Sequence, residues 1–234
     1  MKTVLITGAN KGIGFATAKK FAQMGYNVIL TGRSEDRLKK AIEKLNYEKA
    51  DMMVWDISNV KIAKEKVEEA HKLFGDIDVF VNNAGIVTGR QILEEDETSW
   101  DMTMQTNLKG TYFALMEQAK YMIDNNIKGH IVMVGSLMGF TAKANAYSIS
   151  KWGVRGMVYG AAKGLAPYGI CVNGVAPGET ATEILGQKEG EFVKINTPRG
   201  FRAMPNEIAE DIFYLSQSDN LIGTIICSDG GASL

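Results

Sequence analysis

The sequence predicts an α/β fold in which a doubly wound parallel β-sheet of about seven strands is flanked by helices. Three observations predict it. Short continuous apolar runs recur along the chain, stretches of helical period separate them, and the two kinds alternate from Thr3 to Cys227. Strands buried on both faces read as unbroken apolar runs. Strict β–α–β alternation with right-handed crossovers places helices on both sides of a parallel sheet.

The first strand is expected over Thr3–Thr7, ended by Gly8, with a helix over Gly12–Met24. A second strand, Asn27–Leu30, leads to a helix over Glu35–Leu45. Ser34 suits the N-cap of that helix, and Glu35 and Asp36 in its first turn suit the helix dipole. Strands then follow at Met52–Trp55, Val79–Val81, His130–Val134, Cys171–Val175 and Thr224–Cys227. The intervening helical patterns cover Val60–Phe74, Thr98–Ile123, Tyr147–Ala166 and Pro205–Leu215. Long linkers, low-complexity tracts and internal repeats are missing, so one domain over residues 1–234 is expected, with a short lid near 183–199.

Composition narrows the function. The chain of 234 residues is 45% hydrophobic and 23% charged, an ordinary globular mixture. A net charge of -1 leaves no basic excess for nucleic acid or an anionic membrane. The opening Val4-Leu5-Ile6 run is too short for a signal-peptide core, and no segment approaches the roughly 18 apolar residues of a spanning helix. A soluble cytoplasmic protein is expected. Cys171 and Cys227 sit in apolar strand-like runs and read as small buried hydrophobes. His71 and His130 are the only histidines and read as structural or solvated; no metal site is expected.

Ligands of such sheets bind beyond the carboxyl ends of the strands, and the motifs of this chain follow its strands. The first strand runs into Thr7-Gly8-Ala9-Asn10-Lys11-Gly12-Ile13-Gly14. Glycines let the backbone approach a pyrophosphate, and the helix that follows offers its unpaired N–H groups to the anion. The second strand ends in Leu30-Thr31-Gly32-Arg33. An acid at this point accepts from the ribose hydroxyls of NAD, whereas arginine accommodates the 2′-phosphate of NADP. Arg33 and Lys11 would make charge-assisted contacts to that phosphate, so NADP(H) is the expected cofactor.

Taken together these motifs resemble the short-chain dehydrogenase/reductase family, and the resemblance runs the length of the chain. The glycine loop is similar to the family's TGxxxGxG, and Gly32 stands where NAD-preferring members carry Asp. Asn82-Asn83-Ala84-Gly85 resembles the NNAG motif, which implies that Asn83, Ala84 and Gly85 lie against the adenosine side of the cofactor. The resemblance also implies that Asp56 bonds the adenine and Ile57 contacts its ring. Asn107, Ser136, Tyr147 and Lys151 match the family's Asn-Ser-Tyr-Lys tetrad in order. Pro177-Gly178-Glu179-Thr180-Ala181-Thr182 resembles PGxxxT, with Thr180 and Thr182 expected at the nicotinamide carboxamide. Glu179 and Thr180 depart from the aliphatic residues common there. A single-domain Rossmann-type fold and a homotetramer or homodimer are further implications.

The residue types suit the chemistry. Tyr147 and Lys151 lie four apart and share one face of a helix. A phenol has a pKa near 10, and an adjacent ammonium would lower it. Tyr147 is thus the expected acid/base and Lys151 its tuner. Ser136 would hydrogen-bond the reacting oxygen, and the family implies that Asn107 holds a water linking Lys151 to solvent. The substrate is expected to be a small carbonyl compound or alcohol in a pocket walled by Leu137, Met138, Phe140, Ile184, Leu185 and Phe192. A 3-oxoacyl–carrier-protein reductase is the alternative, and a silent NADP-binding sensor or scaffold a third.

Overall fold

A computed structural model describes residues 1–89, 91–182 and 193–234. The strands are β1 Thr3–Ile6, β2 Asn27–Gly32, β3 Ala50–Val54, β4 Val79–Asn82, β5 His130–Val134, β6 Cys171–Pro177 and β7 Ile225–Ser228. The helices are α1 Gly12–Gln23, α2 Glu35–Leu45, α3 Ala63–Phe74, α4 Glu97–Met104, α5 Thr111–Asp124, α6 Ala146–Leu165 and α7 Pro205–Leu215. The strands form one sheet in the order β3-β2-β1-β4-β5-β6-β7, parallel throughout.

Strand residues divide by parity between two cores. Leu5, Ile29, Phe80, Ile131 and Val172 pack with α3, α5 and α6. Val4, Ile6, Leu30, Val79, Val81 and Val132 pack with α1, α2 and α7. Both faces are therefore covered, which is why the strands carry unbroken apolar runs. Strand order reverses between β1 and β4, and the crevice at their carboxyl ends is where such a sheet receives a ligand.

Two expectations are corrected. The long helix expected over Thr98–Ile123 is α4 and α5 joined by a π-helical turn, Gln105–Gly110. Gly110 packs so closely on Ile57 that an added Cβ would lie 2.5 Å from the Ile57 carbonyl oxygen. Cys227 is exposed rather than buried, because β7 is an edge strand that, among the described residues, pairs with β6 alone. Cys171, at the start of β6, is buried as expected. His71 is buried too, stacked on Tyr121 and within 3.2 Å of the Gln118 amide nitrogen; burial lowers its pKa to about 4. Among the described residues no helix is long and apolar enough to cross a membrane.

Candidate active site

The crevice is built by polar contacts between the ends of β1 and β4. The Thr7 hydroxyl accepts from the backbone N–H groups of Asn83 (2.9 Å) and Ala84 (3.0 Å). The Asn83 amide donates to the carbonyls of Thr7 (2.8 Å) and Gly8 (3.1 Å). Asn82 donates to the Thr111 carbonyl, holding the start of α5. Gly8 and Gly12 have φ of +64° and +56°, the left-handed region that disfavours other residues. A Cβ on Gly14 would run into the Gly8 carbonyl and the Asn83 amide. The loop is therefore pressed flat against the Asn83 segment.

Lys11 is the N-cap of α1, with extended backbone and no side-chain cap hydrogen bond, and the first turn carries no acid. The leading N–H groups of that helix suit an anion. At the end of β2, a Cβ on Gly32 would stand 3.2 Å from Asn10 Oδ1, so the Asn10 amide covers the place an acidic side chain would need. Arg33 is exposed beside it. Asp56 Oδ1 accepts from the Ser58 N–H (3.0 Å) and hydroxyl (2.7 Å), which fixes the turn after β3. The Ile57 side chain is buried in the core beneath α3 and α5.

Ser136, Tyr147 and Lys151 meet at the carboxyl end of β5. Ser136 follows the strand in extended conformation and its hydroxyl accepts from the Met138 N–H at 3.1 Å. Asn145 caps α6, and the Glu95 carboxylate accepts from the Ala146 N–H at 3.0 Å, so the first turn of that helix is held from two sides. Tyr147 lies in this turn, with its phenol close enough to Ser136 for that hydroxyl to oppose the rise in its pKa. Lys151, one turn on, is buried; its ammonium donates to the Val134 carbonyl at 3.0 Å and lies 5.7 Å from the centre of the Tyr147 ring.

Asn107 projects from the π-helical turn and is 1% exposed. Its Oδ1 accepts from the Ile86 N–H and its Nδ2 donates to the Ile86 carbonyl, both at 2.8 Å. A weaker contact of 3.3 Å reaches the Ser150 hydroxyl. Gly85 lies between Asn107 and Lys151: a Cβ there would be 3.3 Å from Asn107 Oδ1 and 3.8 Å from Lys151 Nζ. All four expected residues thus converge on one edge of the sheet.

Burial dominates the electrostatics. It pushes the Lys151 ammonium down to about 8. It pushes the Tyr147 phenol up, opposed by the hydrogen bond from Ser136. The expected lowering of Tyr147 by Lys151 is not the leading influence here. A phenol held neutral at pH 7 beside a second hydroxyl can deliver a proton to a developing oxyanion.

The segment after β6 returns over the glycine loop. Gly178 donates to the Ser228 carbonyl, and a Cβ on it would meet Asp229, so Pro177-Gly178 is packed against the end of β7. Thr180 and Thr182 are buried, and the Thr182 methyl faces Gly12. Glu179, the unusual acid, pairs with Arg202 at 2.8 Å and anchors this segment to the chain before α7.

The structure places three residues of the expected pocket wall. Leu137 is buried and Met138 half-buried. Phe140 stacks under the Arg155 guanidinium at 4.2 Å and lines a small cavity with Ser136, Lys151, Val158 and Ile225. Ile184, Leu185 and Phe192, with most of the expected lid, lie outside the described residues. Val134, Ile86 and Glu95 hold the site yet carried no signal in the sequence, since two act through backbone groups and the third through a contact with distant Ala146.

The family model described as short chain dehydrogenase matches residues 2–191. A 3-oxoacyl-[acyl-carrier-protein] reductase of Thermotoga maritima is 38% identical over 239 residues, covering 98% of this chain and 97% of that protein. An uncharacterized oxidoreductase of Staphylococcus saprophyticus is 32% identical over 222 residues, covering 92% and 91%. The solved structure of ElxO with NADP bound superposes with a TM-score of 0.91 at 32% identity, covering 99% of this chain and 98% of that one.

Proposed function

The chain belongs to the short-chain dehydrogenase family of oxidoreductases, and from that membership we propose that it is an NADP(H)-dependent enzyme interconverting a carbonyl with a secondary or primary alcohol. The observation that carries this reading is the meeting of the Ser136 and Tyr147 hydroxyls beside buried Lys151, at the same sheet edge as the uncapped start of α1.

The crevice suits a dinucleotide. Gly8, Gly12, Ile13 and Gly14 would receive the pyrophosphate, and Lys11 and Arg33 the 2′-phosphate. Asn10, Asp56, Asn83, Ala84 and Gly85 would flank the adenosine half. Pro177, Gly178, Thr180 and Thr182 would hold the nicotinamide end, with Tyr147 and Lys151 on its ribose. The covered approach to Gly32 and exposed Arg33 favour NADP over NAD. The ElxO structure, solved with NADP, supports the same choice.

When bound, the nicotinamide supplies or accepts the hydride. The protein's part is orientation and proton handling. Ser136 donates to the carbonyl oxygen, Tyr147 delivers its proton to that oxygen, and Lys151 restores the phenol's proton. Asn107 keeps Gly85-Ile86 in place beside the lysine. NADPH consumption with a panel of ketones and aldehydes, repeated with NADH, tests the reading. Turnover on at least one substrate with NADPH preferred supports it; silence across the panel despite NADPH binding would favour a sensor or scaffold.

Reduction of a 3-oxoacyl group on a carrier protein is the second reading, favoured by the Thermotoga relative. Electrostatics weigh against an acidic carrier here. Arg199 is paired with Glu207 and Arg202 with Glu179, which removes two cations from the rim.

We also take the chain to act as a single catalytic domain in the cytoplasm, assembled as a homotetramer or homodimer through α5 and α6. Tyr112, Trp152 and Tyr159 expose nearly half their surface on those helices. Light scattering at micromolar concentration should report an oligomer; a monomer would remove this part of the reading.

A further inference from the structure

At the amino-terminal edge of the sheet, opposite the Tyr147 site, three side chains far apart in sequence come together. His130 and Cys171 are the first residues of β5 and β6 and are register partners. Asp219 reaches them from the turn after α7. His130 Nε2 stands 3.2 Å from Asp219 Oδ1, Cys171 Sγ lies 3.6 Å from the Asp219 carbonyl, and the three ligand atoms lie within 4.8 Å of one another.

We propose that His130, Cys171 and Asp219 form a zinc-binding site. Zinc bonds of about 2.0–2.1 Å at a tetrahedral angle separate a nitrogen and an oxygen ligand by about 3.3 Å, close to the observed His130–Asp219 spacing. One thiolate, one imidazole and one carboxylate form a mixed S/N/O set suited to Zn2+ over Mg2+ or Ca2+. Thiolate and carboxylate together neutralise the ion.

The surroundings suit the role. Strand pairing fixes His130 and Cys171, and both are buried, while the Asp219 side chain is 96% exposed and gives the ion an entry path. The fourth position would face solvent. On binding, Nε2 gives up its hydrogen bond to Asp219 and the ring proton moves to Nδ1, which is buried with no partner among the described residues, a cost that the metal bonds must offset. The Cys171 thiol releases one proton to solvent. Asp78 and Lys2 also face His130 with opposite charges, and Asp78 is already engaged by the Thr3 N–H at 2.7 Å. A bound ion would staple the starts of β5 and β6 to the turn after α7.

The test is calorimetric titration of the metal-free full-length protein with Zn2+, with Co2+ as an optical probe. One equivalent should bind saturably at micromolar concentration, raise the melting temperature and, for Co2+, give a thiolate-to-metal absorption band. Cys171→Ser should abolish the band. Exposed Asp219→Asn, which leaves the core intact, should weaken Zn2+ by at least ~10-fold, since even outer partners of a metal site are worth that much. Cys227→Ser should leave both readouts unchanged. No saturable binding, binding indifferent to both ligand substitutions, or loss of the band in Cys227→Ser would each overturn the proposal.

Discussion

The Lys151 ammonium donates to the carbonyl of Val134, 3.0 Å away, and ties the second turn of α6 to the last residue of β5. Ser136 lies two residues beyond Val134 and Tyr147 one turn before Lys151, so this bond joins the two elements that carry the hydroxyls. Its cost is a buried cation. The folded pKa of about 8 lies below the ordinary 10.5, so the unfolded chain holds more protons between those values. Stability therefore rises as pH climbs from about 8 towards 10.5, and the full penalty, roughly 3 kcal/mol, applies below that window. The melting temperature of Lys151→Met minus that of the wild type should fall between pH 7 and pH 10. A difference independent of pH would show that Lys151 bears no such penalty.

Asn107 has a different task. Its amide satisfies both backbone groups of Ile86, so Asn107→Ala leaves a partly buried donor and acceptor without that partner. The expected loss is about 1–3 kcal/mol for each such group. Thermal denaturation should show a drop of several degrees together with reduced turnover. Unchanged stability with lost turnover would mean that Asn107 acts on the chemistry alone.

In the proposed reading, cofactor choice rests on Arg33, which follows β2, and on Lys11, the N-cap of α1. NADPH should exceed NADH in kcat/KM, and Arg33→Ala should erode the preference by about 1–3 kcal/mol, the range of a charge-assisted contact. Equal efficiency in the wild type would contradict the assignment. A preference surviving Arg33→Ala with Lys11→Ala would move phosphate recognition elsewhere.

Much of this was legible in the sequence, for physical reasons. Val4-Leu5-Ile6 is apolar throughout because Val4 and Ile6 enter one core and Leu5 the other. The glycine loop was legible because positive φ and contact with Asn83 permit little else there. The meeting of Asn107, Ser136, Tyr147 and Lys151 at one sheet edge was legible through their order and the family resemblance. What escaped reading depends on contacts across the sheet. The π-helical turn answers to Gly110 meeting the Ile57 carbonyl, which no local pattern encodes. Ile57 and Leu137 are buried, a placement that a short turn in the sequence does not declare. Cys227 looked like a core residue because its run is apolar, yet its strand lies at an edge. His130, Cys171 and Asp219 share no motif spacing; the register of β5 with β6 brings the first two together.

The central claim is that Tyr147 moves the proton while the crevice holds the cofactor independently of it. Tyr147→Phe removes one oxygen and keeps the ring beside Lys151. With the best ketone or aldehyde from the panel, the direct measurement is single-turnover NADPH oxidation by this variant, alongside its NADPH affinity. The account predicts near-normal binding and a rate at least ~100-fold lower, the low end for loss of an acid/base group. A rate close to that of the wild type would contradict it.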